Sequence, residues 1–428
     1  MNVAVVGVGR AGGRIADAFR SVDGWPCSDP IEASFAIDTS KAYLRDLSSV
    51  PNKNRLLVGK DRAKGHGVGA DNELAAAIAE ESRDVVLDAI DDSVIDGVDA
   101  VLVVAGLGGG TGSGAAPVIT DQLSETYPVP VYGLGVLPDR REGDIYTLNA
   151  ARSYRSFVDV AEHLFLFDND AWRREDVPND EYYAQLNEAL VMPLGVLFGV
   201  ASIDQRDSNS VPSIDPQSSG EPPGSEPPPS GEGVTAPEQL PDVLKESDIS
   251  TLGYAVRFVG SDGDDTGFLS KLWRSRSVDR VTPDEKAERA GTITALVRQA
   301  IEGKFTLPYD ISNGADTSLG IVGPPAYLDD GYLDRCCRLV TGRYGRVDVR
   351  LCDAEALKGA STVAAVVLFT DLHGVDRIDR LTETAVDLQR DPERLREETD
   401  KPLPGLVAGD GVEAEADPDE RSDIQPLF

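Results

Sequence analysis

A glycine-rich loop, Gly106 to Gly114, constrains the fold of this 428-residue chain more than any other segment. An apolar run over residues 98–105 precedes it and predicts a strand buried on both faces. Residues 115–126 follow and predict a helix, with Pro117 in its first turn. A strand, a glycine turn and a helix N-terminus together favour anion binding, because bare backbone N–H groups can approach phosphate oxygens. We therefore predict a phosphate-binding loop here rather than a flexible linker.

A second loop of the same kind occupies residues 7–13, directly after an apolar strand at residues 2–7. Alone it fits the G-x-G-x-x-G pattern of dinucleotide enzymes, and Asp38 at the end of the next predicted strand could then hold a ribose hydroxyl. An NAD-dependent oxidoreductase is therefore one alternative. This alternative leaves the loop at residues 106–114 unexplained. That loop is not a Walker-type phosphate loop, because no lysine follows it in the GxxxxGK[ST] pattern.

The composition narrows the classes of partner. The chain has 74 acidic and 41 basic residues, for a net charge of −33. Such a surface repels nucleic acid and anionic lipid, and its even spread predicts a cytosol rich in salt. The four cysteines show no metal or disulfide spacing, and we predict no protein metal ligands. The N-terminus has no basic leader and the apolar runs are too short to span a membrane, so we expect a cytoplasmic protein.

Several motifs occur together in one order along the chain. The heptapeptide GGGTGSG at residues 108–114 resembles the GGGTG[ST]G signature of the tubulin superfamily. Residues 7–13 and the AIDTS segment at 36–40 resemble the first two nucleotide loops of that superfamily, and GHGVGADN at 65–72 resembles the FtsZ loop that faces the γ-phosphate. Among its members, the chain is most similar to the archaeal tubulin-like CetZ group.

The resemblance implies the fold. We expect an α/β structure in which a Rossmann-like GTPase domain with a parallel sheet is joined through a long central helix to a smaller α/β C-terminal domain. The implied ligands are GTP or GDP with Mg²⁺. The residues of these loops that would bind the nucleotide are Gly9, Arg10, Ala11, Gly12, Asp38, Gly69, Ala70, Gly108, Gly109, Gly110, Thr111, Gly112 and Ser113, with the phosphates held by the loops at 7–13, 65–70 and 106–114.

The base and ribose would be bound further along the chain. Glu142 matches the FtsZ glutamate that meets the ribose, whereas Tyr146 stands where FtsZ has an arginine. Tyr183 and Asn187 lie four residues apart on a predicted helix at 179–203, so they share a face. An aromatic ring there can stack on a purine, and an amide can read the guanine edge together with Asn169.

The acidic loop that would act in hydrolysis departs from the family pattern. Asp242 matches the second acidic residue, but Gln239 stands at the first, with Glu238 beside it as a substitute. In the superfamily this loop acts on the nucleotide of the next subunit, so Asp242 and Glu238 are the catalytic candidates. The departure predicts slow GTP turnover.

We expect four segments: a GTP-binding domain with the central helix (1–203), a disordered insertion rich in Pro, Ser, Gly and Glu (204–237), a C-terminal α/β domain (238–390) and an acidic disordered tail (391–428). The resemblance implies head-to-tail self-association into filaments that affect archaeal cell shape or motility. An FtsZ-like role in division and a nucleotide-binding scaffold with little turnover remain alternatives. The apolar end of the tail is a candidate tether to a membrane or a regulator.

Overall fold

Each loop that the sequence predicts to bind phosphate follows a strand, so the order of strands decides whether the loops meet. The computed structural model describes residues 1–22, 25, 29–173, 179–204, 240–245, 247–259, 283–311, 315–344, 347–353 and 362–390. The predicted tail and, apart from Asp204, the predicted insertion lie outside these residues.

Ten strands form one sheet in the described part of the chain. They are β1 Val3–Val8, β2 Ile31–Asp38, β3 Arg55–Leu57, β4 Ala100–Gly106, β5 Val131–Leu137, β6 His163–Asp168, β7 Ile249–Phe258, β8 Asp316–Gly323, β9 Val347–Asp353 and β10 Thr362–Thr370. Their order across the sheet is β3-β2-β1-β4-β5-β6-β7-β10-β8-β9. Strands β1 to β6 pair in parallel, which confirms the predicted nucleotide-binding sheet.

The second unit continues the same sheet. Strand β7 pairs in parallel with β6 at only two positions, Leu164 with Ile249 and Phe165 with Ser250, and is antiparallel to β10 along most of its length. Strand β10 is also antiparallel to β8, and β8 is parallel to β9. The short β6–β7 pairing therefore joins a parallel half to a mixed half.

Helices cover both faces of the sheet. They are α1 Gly9–Ser21, α2 Lys41–Arg45, α3 Lys60–Ala63, α4 Asn72–Glu81, α5 Arg83–Ala89, α6 Asp92–Ile95, α7 Gly110–Thr126, α8 Asp144–Val160, α9 Asn169–Trp172, α10 Asn179–Asp204, α11 Leu240–Lys245, α12 Pro283–Glu302, α13 Asp330–Tyr344 and α14 Asp376–Arg390.

Two hydrophobic clusters explain why the strands are apolar throughout. Along β1, Ala4 and Val6 point into the cluster that α4, α7, α8 and α12 share, whereas Val3 and Val5 point into the cluster formed with α1 and α10. A strand covered on both faces has no polar side, as parallel strands usually do not. The long helix α10 thus packs on one face of the sheet, and α7 and α8 pack on the other.

Three predicted helix boundaries were wrong. Residues 73–90 are rich in Ala, Glu and Leu and predict one helix, but Ser82, at φ −100° and ψ 9°, separates α4 from α5. Helix α7 begins at Gly110, so Pro117 lies in its interior rather than in its first turn. Residues 141–144 predict the start of a helix that runs to about Val160, but α8 begins only at Asp144, because Gly143 has φ 119°, a conformation that glycine adopts easily.

Candidate functional site

The loops that follow β1, β2 and β4 meet at the carboxyl edge of the parallel sheet, together with residues 65–71. The Thr39 and Thr111 hydroxyls lie 2.8 Å apart, which joins the loop after β2 to the first turn of α7. The Gly110 N–H donates to the Gly69 carbonyl at 3.2 Å. The structure therefore brings three of the predicted phosphate loops into direct contact.

The loop after β2 is also bonded to residues 65–67. The Gly67 N–H donates to the Thr39 carbonyl at 3.1 Å, and the Lys41 N–H donates to the Gly65 carbonyl at 2.9 Å. On the other side, Gly9 lies against Gly112, where a side chain on Gly9 would collide with the Gly112 nitrogen. The predicted residues Ala11 and Gly12 belong to the same first turn of α1.

Asn149, on α8, is a site residue that the sequence analysis missed. Its side chain is 1% exposed, and its amide nitrogen donates to the Ala70 carbonyl at 2.8 Å and to the Gly108 carbonyl at 3.2 Å. One amide thus connects two loops that are predicted to bind phosphate. The available signal was a polar amide among apolar positions of a helix, which indicates a buried partner but does not name it.

The glycines of the main loop have different surroundings. A Cβ added to Gly110 would overlap the Gly69 carbonyl, whereas a Cβ added to Gly109 or Gly69 would meet no protein atom within 4 Å. Gly110 is at the centre of the loop, where the sequence predicts that backbone and ligand nearly touch. In the structure Gly110 packs one loop against another, and Gly109 faces open space.

The side chains near these loops are partly engaged with the protein itself. The Ser113 hydroxyl, predicted as a phosphate donor, donates to the Gly109 carbonyl and lies 3.2 Å from the Gly110 carbonyl. Asp38, predicted as a ligand contact, is 2% exposed and accepts the Ser40 N–H at 2.8 Å. Burial raises the pKa of Asp38 to about 6, although the Ser40 and Thr39 amides and Arg10 oppose the rise.

The Arg10 side chain of the first loop stacks on an aromatic ring. The Arg10 guanidinium lies 4.8 Å from the ring centroid of Tyr43, which belongs to α2. Tyr146, at the position where FtsZ has arginine, is half-buried and packs near Gly108. Burial raises the pKa of Tyr146, and the nearby Glu142 and Tyr43 raise it further. Arg10 is therefore a cation stacked beside the predicted phosphate loops.

The loops after β5 and β6 form the other half of the site. Arg140 and Asp170 form an ion pair at 2.8 Å, and Arg173 pairs with Asp139 across the same two loops. Glu142 accepts the Asp139 N–H at 2.9 Å, and burial raises the pKa of its carboxyl. The predicted ribose residue is thus fixed by a turn that is bonded to the loop after β6.

The three predicted base-site residues fall on two neighbouring elements. Asn169 begins α9 directly after β6 and is half-buried. Tyr183 and Asn187 both belong to α10, so their spacing is helical as predicted. Asn187 is half-buried, and the side chain of Tyr183 lies outside the described residues. A stacking contact from Tyr183 stays a prediction.

Asp242 lies at the opposite side of the sheet, where the parallel strands have their amino ends. It is an exposed residue of α11, whose Leu244 carbonyl is 3.1 Å from His163 Nδ1 at the amino end of β6. Asn169 follows the carboxyl end of that strand, and at about 3.3 Å per residue the two ends are roughly 17 Å apart. The structure does not bring Asp242 to the loops of its own chain. Glu238 lies outside the described residues.

Comparison with known proteins identifies the family. The family model described as Tubulin/FtsZ family, GTPase domain, matches residues 2–175, and the model Tubulin-like CetZ, C-terminal domain, matches residues 222–387. Tubulin-like protein CetZ1 of Haloferax volcanii is 38% identical over 400 residues, which cover 93% of this chain and 95% of that protein. The chain belongs to the tubulin-like CetZ family.

Solved CetZ structures agree with this assignment. The GDP-bound monomer of Haloferax volcanii CetZ1 has a TM-score of 0.71 at 35% identity and covers 91% of this chain and 100% of that one. The GTPγS-bound protofilament of CetZ2 from the same organism has a TM-score of 0.70 at 28% identity, with coverage of 92% and 100%. The resemblance inferred from the sequence is therefore confirmed, and residues 2–175 form a GTPase domain rather than the domain of an NAD-dependent oxidoreductase.

Metal clusters and membrane-spanning helices are both absent from the described residues. They contain no group of three or more His, Cys, Asp or Glu side chains that could hold a metal ion. In the same ranges, no helix has both the length and the apolar character that crossing a membrane requires.

Proposed function

We propose that this CetZ-family chain binds GTP and GDP at the carboxyl edge of its sheet, associates head to tail, and hydrolyses GTP at each contact between subunits. One observation carries the proposal. The phosphate loops converge at one edge of the sheet, whereas Asp242, the candidate for orienting the attacking water, is exposed at the other. A residue so placed can act on a nucleotide only if that nucleotide belongs to a neighbouring subunit.

The contacts among the loops support phosphate binding. The N-terminal turns of α1 and α7 lie side by side, and both helix dipoles favour negative charge where the turns begin. The Arg10 guanidinium adds a full positive charge beside them. Asn169 and Asn187 are the amides available to select guanine, and Glu142 is the carboxylate available to the ribose.

The residues present fit a Mg²⁺ ion that is held mainly by the nucleotide phosphates and by water. The ion usually keeps several waters and binds through substrate phosphates with one or two carboxylates, so a full protein cage is not required. Asp38 and Asp71 are the carboxylates that flank the loops, and Asp71 already accepts the Leu74 N–H at 2.9 Å. The bound ion would neutralise charge on the phosphates.

The wider role follows from assembly. A CetZ2 structure is a protofilament with GTPγS bound, and we extend that assembly to this chain. We propose filaments in a salt-rich cytoplasm that affect cell shape or motility, with residues 204–237 as a spacer and residues 391–428 as the segment that binds a membrane tether or regulator. A role in division is the alternative that localisation of the protein in dividing cells would test.

Phosphate release measured against protein concentration tests the shared site. Turnover per subunit should rise over the range in which subunits associate, because neither edge can act alone. Asp242→Asn should lower turnover while GTP affinity stays unchanged, since a group that acts only in the transition state does not stabilise the ground state. A turnover per subunit that stays flat across a hundredfold dilution contradicts the proposal, and filaments that form without any phosphate release would favour the scaffold instead.

A further inference from the structure

A buried arginine of the last helix contacts the two strand ends that carry the ribose and base loops. Arg377, on α14, is 6% exposed. Its Nε donates to Asp168 Oδ1 at 3.1 Å, and its Nη2 donates to the Pro138 carbonyl at 2.8 Å. A planar guanidinium can hold two acceptors in a fixed relative position, which a flexible lysine cannot. Arg377 therefore fixes the end of β6 relative to the end of β5.

The first acceptor, Asp168, stands directly before a nucleotide candidate. Asp168 is the last residue of β6, and Asn169 follows it as the first residue of α9. The Asp168 carboxylate also accepts the Asp170 N–H at 3.2 Å, so it caps the turn that contains Asn169. A shift of this carboxylate would therefore shift the backbone of Asn169.

The second acceptor, the Pro138 carbonyl, begins the turn that contains the predicted ribose residue, Glu142. Pro138 follows β5 and begins the turn in which the Asp139 N–H donates to Glu142. The same turn is bonded to the loop after β6 through the Arg140–Asp170 ion pair at 2.8 Å. Arg377 contacts the first residues of both loops, and the ion pairs join the two loops at later residues.

The burial of the Arg377–Asp168 ion pair makes it sensitive to the loss of either partner. Asp168 is 2% exposed, and burial raises the pKa of its carboxyl while the Arg377 charge lowers it. A buried ion pair contributes little net stability, but removal of one partner leaves an uncompensated charge. Position rather than stability is therefore the effect that this pair is suited to provide.

We propose that Arg377 is a positioning residue, through which the C-terminal unit holds Asn169 in the geometry that selects guanine and Glu142 in the geometry that binds the ribose. The inference rests on the proposed GTP site. Both acceptors of Arg377 belong to the protein, and the proposal assigns this side chain no contact with the nucleotide. It lies within residues 222–387, the match to the CetZ C-terminal domain, whereas both acceptors belong to the GTPase domain. The two units therefore share responsibility for base selection.

Arg377→Lys tests the inference, because lysine keeps the charge but lacks the planar guanidinium that holds two acceptors in a fixed relative position. Affinities for GTP and for ATP are measured by titration of the full chain in concentrated KCl, and thermal midpoints are recorded on the same samples. The ratio of GTP to ATP affinity should fall about tenfold, since one misplaced hydrogen bond to the base costs roughly 1–3 kcal/mol. Arg380→Lys is the matched control, since Arg380 lies on the same helix, is exposed and pairs with Asp376.

The outcomes separate the two proposals. An Arg377→Lys protein with a lower thermal midpoint but an unchanged affinity ratio would overturn the inference and leave only a structural pair. If that variant does not fold, Asp168→Asn combined with Arg377→Gln leaves no buried charge and must show the same loss of ratio. A wild-type ratio near one would overturn the GTP site itself, and the inference with it.

Discussion

Replacement of Gly109 by alanine separates ligand contact from folding. Gly109 precedes α7 with φ −72° and ψ 173°, which alanine adopts without strain, and the added methyl group meets no protein atom within 4 Å. In the unliganded protein the change should therefore cost no more than about 1 kcal/mol, because alanine is a poorer helix N-cap than glycine. If the backbone of Gly109 approaches a phosphate, the methyl group occupies the space that the phosphate needs.

The size of the effect follows from the lost contacts. A hydrogen bond to a charged group contributes about 1.5–3 kcal/mol, so loss of one phosphate contact should weaken GTP binding roughly tenfold to a hundredfold. Titration of a fluorescent GTP analogue measures the affinity, and thermal unfolding without nucleotide measures stability. The midpoint should stay close to the wild-type value.

Two glycine variants provide the contrast. Gly291→Ala, in the middle of α12, also meets no protein atom within 4 Å, so it should leave the affinity unchanged and raise the midpoint slightly, because alanine stabilises a helix interior by about 0.5–1 kcal/mol relative to glycine. Gly110→Ala places its methyl group on the Gly69 carbonyl and should lower the midpoint before any effect on affinity is considered. Gly109→Ala binding within twofold of wild type, on a stable fold, would refute the assignment of this loop to phosphate.

Three further changes test other parts of the site. Asn187→Ala should weaken GTP about tenfold and leave ATP unchanged, because a base-edge hydrogen bond is lost; equal GTP and ATP affinity in the wild type would contradict this. Tyr43→Leu should weaken GTP roughly twofold to fivefold by releasing Arg10, whereas Tyr43→Phe keeps the ring face and should bind normally, and identical titrations of the two variants would argue against a cation–π role. Burial lowers the pKa of His163 to about 4, so the unfolding free energy should fall as pH falls from 6.5 towards 4, and denaturant unfolding of His163→Gln at pH 7 and pH 5 should show a smaller fall.

The strands were predictable because each carries a local signal. Residues 98–105 and 129–137 are apolar without alternation, and the structure forms β4 and β5 there within two residues of the predicted ends. The order of the glycine loops then placed them at one edge, because consecutive parallel strands have the same direction. Boundaries were less predictable, since the break at Ser82 depends on packing rather than on propensity.

The residues that position the site were not predictable from sequence. Arg377 stands 209 residues from Asp168, and its spacing on an amphipathic helix is that of an ordinary surface arginine. The role of Gly110 also depended on a distant group, the Gly69 carbonyl, which no local pattern indicates. Local sequence thus predicts which loops bind phosphate, while the contacts between loops decide which of their residues are free of protein neighbours.

Mixing two inactive variants tests the shared site most directly. Asp242→Asn keeps an intact nucleotide site, and Gly109→Ala keeps an intact Asp242, so each lacks one half of the interface. At a GTP concentration that saturates wild type but not Gly109→Ala, each variant alone should release little phosphate. An equal mixture should recover activity up to roughly one quarter of wild type, the fraction of random head-to-tail contacts that contain both intact halves. No recovery in a mixture that associates, or full activity of Asp242→Asn alone, would contradict hydrolysis between subunits.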